Sequence, residues 1–263
     1  MIKVSAQSPS SIVMIRPHHF TVNAETAIDN AFQVRKIPQK ELGNSVYQEI
    51  TEASKILSNH GIKVHIFENK NHRIPDSVFP NNWFSTHPEG HIAVYPMKAP
   101  SRRLERRWDI LEMLKSKYKV NHIIDYSGLE HDNLFLEGTG SMVLDHINRV
   151  AYAIESDRTN LIVLERFCKD FNYEPLTFSA EDENGITVYH TNVLMCIGTE
   201  IALIGLDMIT NQSRRQKIFD HLKDSGRKVI ALSNDQIIRF AGNAIELKGR
   251  DIFNFPIKSL LNY

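Results

Sequence analysis

Cysteine is nearly absent: the 263 residues hold only Cys168 and Cys196. Two such residues make neither a spaced metal motif nor a disulfide framework, so no metal is expected. They read as free thiols of a reducing cytoplasm. Net charge is also missing, since Lys+Arg and Asp+Glu both number 31. A general grip on nucleic acid needs a clear positive excess, so no nucleic-acid partner is expected. No apolar run approaches a membrane span, and MIKVSAQSPSSIVMIRPHH has no apolar core of signal-peptide length. No linker or low-complexity stretch interrupts the chain, which reads as one domain over residues 1–263. What is there, 42% apolar and 24% charged residues, is the composition of an ordinary globular protein.

The chain repeats. Amphipathic helix patterns fall near Ser45–His60, Ser101–Tyr118, Arg158–Phe171 and Asn211–Ser225, each followed by a short apolar strand: KVHIF, KVNHIID, YEPLTFS and KVIALS. In the second helix, Leu104, Trp108, Leu111 and Leu114 form one expected buried stripe, with Arg102, Arg103, Glu105 and Arg106 on a charged opposite face. After each strand comes a polar knuckle and then a two-strand hairpin. The knuckles are Pro80-Asn81-Asn82, Glu137-Gly138-Thr139-Gly140, His190-Thr191-Asn192 and Ala241-Gly242-Asn243. The last hairpin, NAIELKGRDIF, is incomplete. The spacing of roughly fifty to fifty-five residues signals repeated supersecondary units that must pack side by side, most simply around an axis with the knuckles inward.

The knuckles concentrate chemistry. A carboxylate (Glu137), an imidazole (His190) and amides (Asn81, Asn82, Asn192, Asn243) at equivalent points of one repeat would suit a planar, hydrogen-bonding group. Histidine exchanges a proton near neutral pH. Each residue also has an ordinary reading: the asparagines as turn builders, Glu137 as a solvated loop residue, His190 as a satisfied side chain at a strand start.

PDSVFPNNWFSTH, LEGTGSMVLD, SDRTN, YHTNV and FAGN, taken in order, resemble the guanidino-group-modifying superfamily. Its members include arginine deiminases, dimethylarginine hydrolases, amidinotransferases and succinylarginine dihydrolase. The resemblance covers nearly the whole chain and is strongest to the bacterial branch of amidinotransferase-like, citrulline-utilising hydrolases. It implies an α/β propeller (pentein) of repeated ββαβ units. It also implies hydrolysis of a C–N bond in a guanidino or ureido amino acid, with no cofactor, through a cysteine nucleophile and a covalent adduct that water resolves. By the same resemblance His190 is the acid/base, Glu137 the acidic partner that orients the substrate, and Asp76 an aspartate near the guanidinium site. Arg158 matches an arginine that holds a substrate carboxylate, for which its planar fork is suited.

Asn82 stands where many members carry an acidic residue, and Asn192 where the deiminases carry an aspartate. An amide offers both a donor and an acceptor to a neutral ureido group, which points to a citrulline-like or other ureido substrate, or to an arginine derivative whose carbamoyl stage must also be held. The family nucleophile lies near the C-terminus, in a fifth knuckle region. DIFNFPIKSLLNY contains no cysteine, so the fifth unit is expected to be largely missing and the domain incomplete at its C-terminus. An open gap of that kind predicts exposed strand edges and self-association. Cys196 is a poor substitute. If VLMC is a strand rising about 3.3 Å per residue, it lies roughly 20 Å from His190, whereas a nucleophile and its base must come within about 3 Å. Its apolar neighbours also favour a buried, protonated thiol. The competing reading is a non-catalytic binding module, because a ribosome anti-association factor uses a similar ring for binding alone.

Overall fold

The computed structural model describes residues 7–26, 39–249 and 252–256, with side chains for 7–26 and 42–249. The chain divides into two compact units, Ser11–Gly138 and Thr139–Asn262, the second including Met1–Ser10. The segment 257–263, which carries most of the expected remnant of a fifth unit, lies outside the described residues.

In the first unit, β1 (Ser11–Pro17), α1 (Gln39–Asn59) and β2 (Lys63–Asn69) form a crossover, with β1 and β2 parallel from Ser11↔Lys63 to Pro17↔Asn69. Val46, Ile50, Ala53 and Leu57 recur at helical spacing on α1 and are all buried. Gly61 at φ +86° ends that helix in the left-handed conformation, and the Ile62 N–H donates back to the Leu57 carbonyl at 3.0 Å. The first complete repeat follows: β3 (Phe84–His87), β4 (His91–Val94), α2 (Pro100–Arg103), α3 (Trp108–Lys117) and β5 (His122–Asp125). Strands β3 and β4 pair antiparallel, and β5 adds parallel to β4. Its core joins Trp83, Phe84, Ile92 and Val94 to Ile110, Leu111 and Leu114 of α3.

The same hairpin–helix–strand order recurs twice in the second unit. After α4 (Gly138–Ser141), β6 (Met142–Asp145) and β7 (Val150–Ile154) form a hairpin, α5 (Leu161–Phe171) crosses, and β8 (Glu174–Phe178) pairs parallel with β7. After α6 (Thr191–Leu194), β9 (Met195–Ile197), β10 (Ile201–Ile204), α7 (Gln212–Asp224) and β11 (Lys228–Ala231) repeat the pattern. A short α8 (Asn234–Ile238) leads to the antiparallel pair β12 (Ala244–Lys248) and β13 (Ile252–Pro256). The repeated ββαβ unit expected from the sequence is therefore present, and NAIELKGRDIF opens a paired hairpin. Gln7 bridges the sheets of the second unit. Its side-chain amide donates to the carbonyls of Leu144 (3.0 Å) and Ile197 (3.1 Å), and its oxygen accepts from the His146 N–H at 2.8 Å. Among the described residues no helix is long and apolar enough to cross a membrane.

Four expectations are corrected. The helix read as Ser101–Tyr118 is two pieces, α2 and α3, because Arg107 has extended dihedrals (φ −123°, ψ 112°). A break resets the helical phase, so the stripe does not run through it. Leu111 and Leu114 are buried, whereas Leu104 and Trp108 are 55% and 65% exposed. The expected charged outer face fails for the same reason: Arg102 and Glu105 are buried. Helix α5 starts at Leu161 rather than Arg158, since the Asn160 side chain caps it by accepting from the Ile162 and Val163 N–H groups.

Candidate active site

In the first unit the structure brings together two knuckles far apart in sequence. Pro80 starts a single 3-10 turn, Pro80–Asn82, with φ pre-set by its ring. The Asn81 amide donates to the Asn82 side-chain oxygen at 3.0 Å, and Asn82 is buried. Gly138 lies against this turn. It has φ +47°, and a Cβ placed there would sit 2.4 Å from the Asn81 carbonyl oxygen and 2.9 Å from that of Asn82. Only glycine tolerates both the dihedral and the approach. The approach sets Glu137 beside the asparagine turn.

Glu137 is fully buried. Its Oε1 accepts from the Lys98 N–H at 3.1 Å and its Oε2 from Arg102 Nη1 at 3.4 Å. Asp76 accepts from the Asn23 amide at 2.8 Å and lies 3.7 Å from Arg102 Nε. Glu105 completes the cluster by accepting two bonds from Arg102, Nε–Oε1 at 2.8 Å and Nη2–Oε2 at 3.1 Å. Burial alone would lower the Arg102 guanidinium, but Glu105, Glu137 and Asp76 overcome it and hold it above its ordinary value. Burial, reinforced by Asp76 and Glu137 against the pull of Arg102, pushes the Glu105 carboxyl up to about 8.

In the second unit, Thr191 and Ser141 tie three segments into one corner. The Thr191 hydroxyl donates to the Ser141 carbonyl (2.6 Å) and accepts from the Ile154 N–H (2.7 Å), while the Ser141 hydroxyl donates to the Arg158 carbonyl (2.7 Å). This sets Arg158 near His190, the extended residue that caps α6. The Arg158 guanidinium lies over the Tyr189 ring, 4.6 Å from its centroid, a distance suited to cation–π attraction. The Tyr189 and His190 ring centroids are 4.8 Å apart. Arg158 and His190 are both buried, and Asn192, two residues after His190, is half-buried. Among the described residues no group of three or more His, Cys, Asp or Glu side chains is placed to hold a metal ion.

Sequence reasoning missed Arg102, Glu105 and Tyr189. The first two carried a usable signal, an Arg–Glu pair at i, i+3, but that spacing suits an exposed helix face equally well. It also treated VLMC as one strand. Thr191–Leu194 is a helical turn, and the strand begins only at Met195, so a separation counted at strand rise is wrong. What disqualifies Cys196 is its setting. It pairs with Leu203 inside the β9–β10 hairpin and is buried. Burial first, and Glu246 second, push its thiol up to about 12. Burial and Glu165 do the same to Cys168, also to about 12. Both thiols should therefore resist iodoacetamide in the folded protein at pH 7.5 and react once it is denatured, as read by intact-mass spectrometry. Rapid native labelling of Cys196 that is lost in His190→Ala would overturn this assignment.

Repeated ββαβ units, with carboxylate, histidine and arginine at their connections, define a pentein of the guanidino-group-modifying superfamily. The sequence profile of the eukaryotic N,N-dimethylarginine dimethylhydrolase family matches residues 16–259, and the chain belongs to that family. No curated protein sequence matches it. Three solved structures show the same fold. ArgZ, an arginine dihydrolase from the ornithine–ammonia cycle in cyanobacteria, superposes with a TM-score of 0.66 at 17% identity over 89% of this chain. AgrE in a binary complex with L-arginine, carrying a cysteine-to-alanine substitution, gives 0.71 at 18% identity over 89%. A dimethylarginine dimethylhydrolase from Pseudomonas aeruginosa, a cysteine-to-serine mutant complexed with citrulline, gives 0.60 at 14% over 90%. The chain spans 33% of ArgZ and 32% of AgrE, but 80% of the isolated N-terminal domain of ArgZ and 81% of the Pseudomonas enzyme.

Proposed function

We propose that this chain binds a ureido amino acid of the citrulline type through the residues that match the family's motifs. Glu137 and Asp76 are the carboxylates matched to the ligand's nitrogens. The amides of Asn82 and of Asn192, each both donor and acceptor, are of the kind that suits a neutral ureido group. Arg158 holds the ligand carboxylate, with Tyr189 against its fork, and His190 stands at the family's acid/base position. The observation that carries this reading is the approach of Gly138 to Asn81 and Asn82. It brings the segment carrying the buried Glu137 against the turn that carries the buried Asn82, in a chain matched to the family over residues 16–259.

Covalent catalysis in this superfamily requires a thiolate. The sequence has only Cys168 and Cys196, and both thiols are buried and held protonated. Neither is assigned the nucleophile's role, so the expected behaviour of this chain is binding with little or no turnover. Isothermal titration with L-citrulline and L-arginine, alongside an ammonia-release assay, tests both halves. Citrulline should bind more tightly than arginine, with no ammonia released above background. A strong preference for arginine would sink the ureido assignment, and steady turnover would sink the statement about the thiols.

A further inference from the structure

The sheet of the first complete repeat carries histidines in adjacent register. His87 on β3 pairs with His91 on β4, and His91 pairs in turn with His122 on β5. Ile92, Val94 and Ile123 pack into the core with Ile110, Leu111 and Leu114 of α3. Strand side chains alternate, so His91 and His122 project from the opposite face of the sheet. Their ring centroids are 5.3 Å apart. His91 is half-buried and His122 exposed, so solvent reaches the pair. We propose that His91 and His122 form a two-histidine site for a borderline divalent transition-metal ion, zinc above all, with water in its remaining positions.

The spacing matches such an ion. Two imidazole nitrogens bound to zinc at about 2.0–2.1 Å, with a tetrahedral angle between them, hold their ring centroids about 5 Å apart. Each histidine ligates through one nitrogen and keeps the other for a hydrogen bond. The backbone holds both ligands in place. The Gly90 carbonyl accepts from the Asn121 N–H (2.7 Å) and the His122 N–H (3.3 Å), and the Asn121 amide donates to the Glu89 carbonyl at 2.8 Å. Gly90 has φ +81°, and an added Cβ would lie 2.7 Å from the Lys119 carbonyl oxygen. The turn before β4 and the entry to β5 are thus joined before any metal arrives. His87 takes no part, since it is buried and its Nε2 is bonded to the Ser85 hydroxyl at 2.8 Å. Two protein ligands rather than three or four make an exchangeable site. Because β5 is the outer strand of this sheet, the ion staples a sheet edge to its neighbour. None of the residues assigned to the ligand under the proposed function takes part.

The test is calorimetry and thermal denaturation with zinc chloride on wild type, His91→Gln, His122→Gln and, as a lone-histidine control, His131→Gln. The quantity compared is the rise over each protein's own metal-free Tm, so a variant that is merely less stable does not imitate the result. In wild type the rise should be saturable and reversed by EDTA. Zinc affinity should fall by about tenfold or more in both His91→Gln and His122→Gln, because losing either ligand ends two-point attachment. His131→Gln should match wild type. His122 is exposed, so His122→Gln decides the matter even where His91→Gln folds poorly. A wild type that zinc neither binds nor stabilises overturns the proposal, as does undiminished affinity in His122→Gln. An equal loss in His131→Gln would put the ion elsewhere and overturns it too.

Discussion

Asp145→Ala is expected to lower the free energy of unfolding by about 3–5 kcal/mol, the cost of leaving one partner of a buried ion pair uncompensated. Asp145 ends β6 and is fully buried. It accepts from Arg227 Nη1 at 2.6 Å and Nη2 at 3.0 Å, from the N–H groups of Ile147 (3.0 Å) and Asn148 (2.9 Å), and from the Asn148 amide (2.8 Å). Arg227, just before β11, also donates from Nε to the Gly198 carbonyl at 2.7 Å. One ion pair therefore joins the β6–β7 turn to the β9–β10 turn and the start of β11. Alanine removes the acceptor and strands the Arg227 charge away from water. The urea midpoint should fall while the slope stays constant. Asp145→Asn keeps the shape of the turn and should cost less. Burial pushes the Asp145 carboxyl up, but Arg227 and Asn148 more than reverse this and hold it below its ordinary value. A depressed carboxylate contributes stability that is present above its unfolded value, about 4, and is lost as pH falls through its folded value. The stability gap between wild type and Asp145→Asn should accordingly narrow below about pH 4. A gap that holds constant from neutral pH into that range would show that the charge is not what stabilises.

Gly138→Ala is the second large effect, with an expected loss of about 2–4 kcal/mol from left-handed backbone strain and a steric clash together. The clash is with backbone, since the new methyl would lie 2.4 Å from the Asn81 carbonyl. Neither side can give way by rotating a side chain. Gly226 serves as the control: its φ is +83°, but nothing lies within 4 Å of an added Cβ. Gly226→Ala should lose only the strain component, about 1–2 kcal/mol. Thermal denaturation of the two variants separates the terms. Equal losses would mean that the contact between the two knuckles contributes nothing. Citrulline affinity should fall in Gly138→Ala and stay unchanged in Gly226→Ala, because only the first disturbs the turn against which the Glu137 segment packs.

The hairpins and the helices on either side of them were legible because their signals are local. Alternating strands bounded by proline and glycine need no tertiary knowledge, and Asn160 and Asn211 cap α5 and α7 by interactions within a few residues. The break between α2 and α3 was not legible, since its residues suit a helix and only burial elsewhere decides. The clearest case is a pair of pairs. Glu112 and Lys115 form an exposed ion pair at i, i+3, whereas Arg102 and Glu105, at the same spacing, are buried with 3% and 1% exposure. Nothing in either pair's own residues says which lies inside. The knuckle residues could be singled out by type and repeat position. The approach of Gly138 to Asn81, and the placing of Arg158 over the Tyr189 ring, depend on chain crossings that spacing does not encode.

Gln7 carries a consequence for the order in which the chain assembles. Each three-stranded sheet draws its strands from one contiguous stretch of sequence, so its pairing can form soon after that stretch leaves the ribosome. The three bonds of Gln7 reach Leu144, His146 and Ile197, and the Lys248 N–H donates to the Pro9 carbonyl at 3.0 Å. The segment around Gln7 thus precedes its partners in the chain by well over a hundred residues. Until residue 197 has been synthesised, the segment around Gln7 has only part of its seat, so its full set of bonds waits on the β9–β10 hairpin.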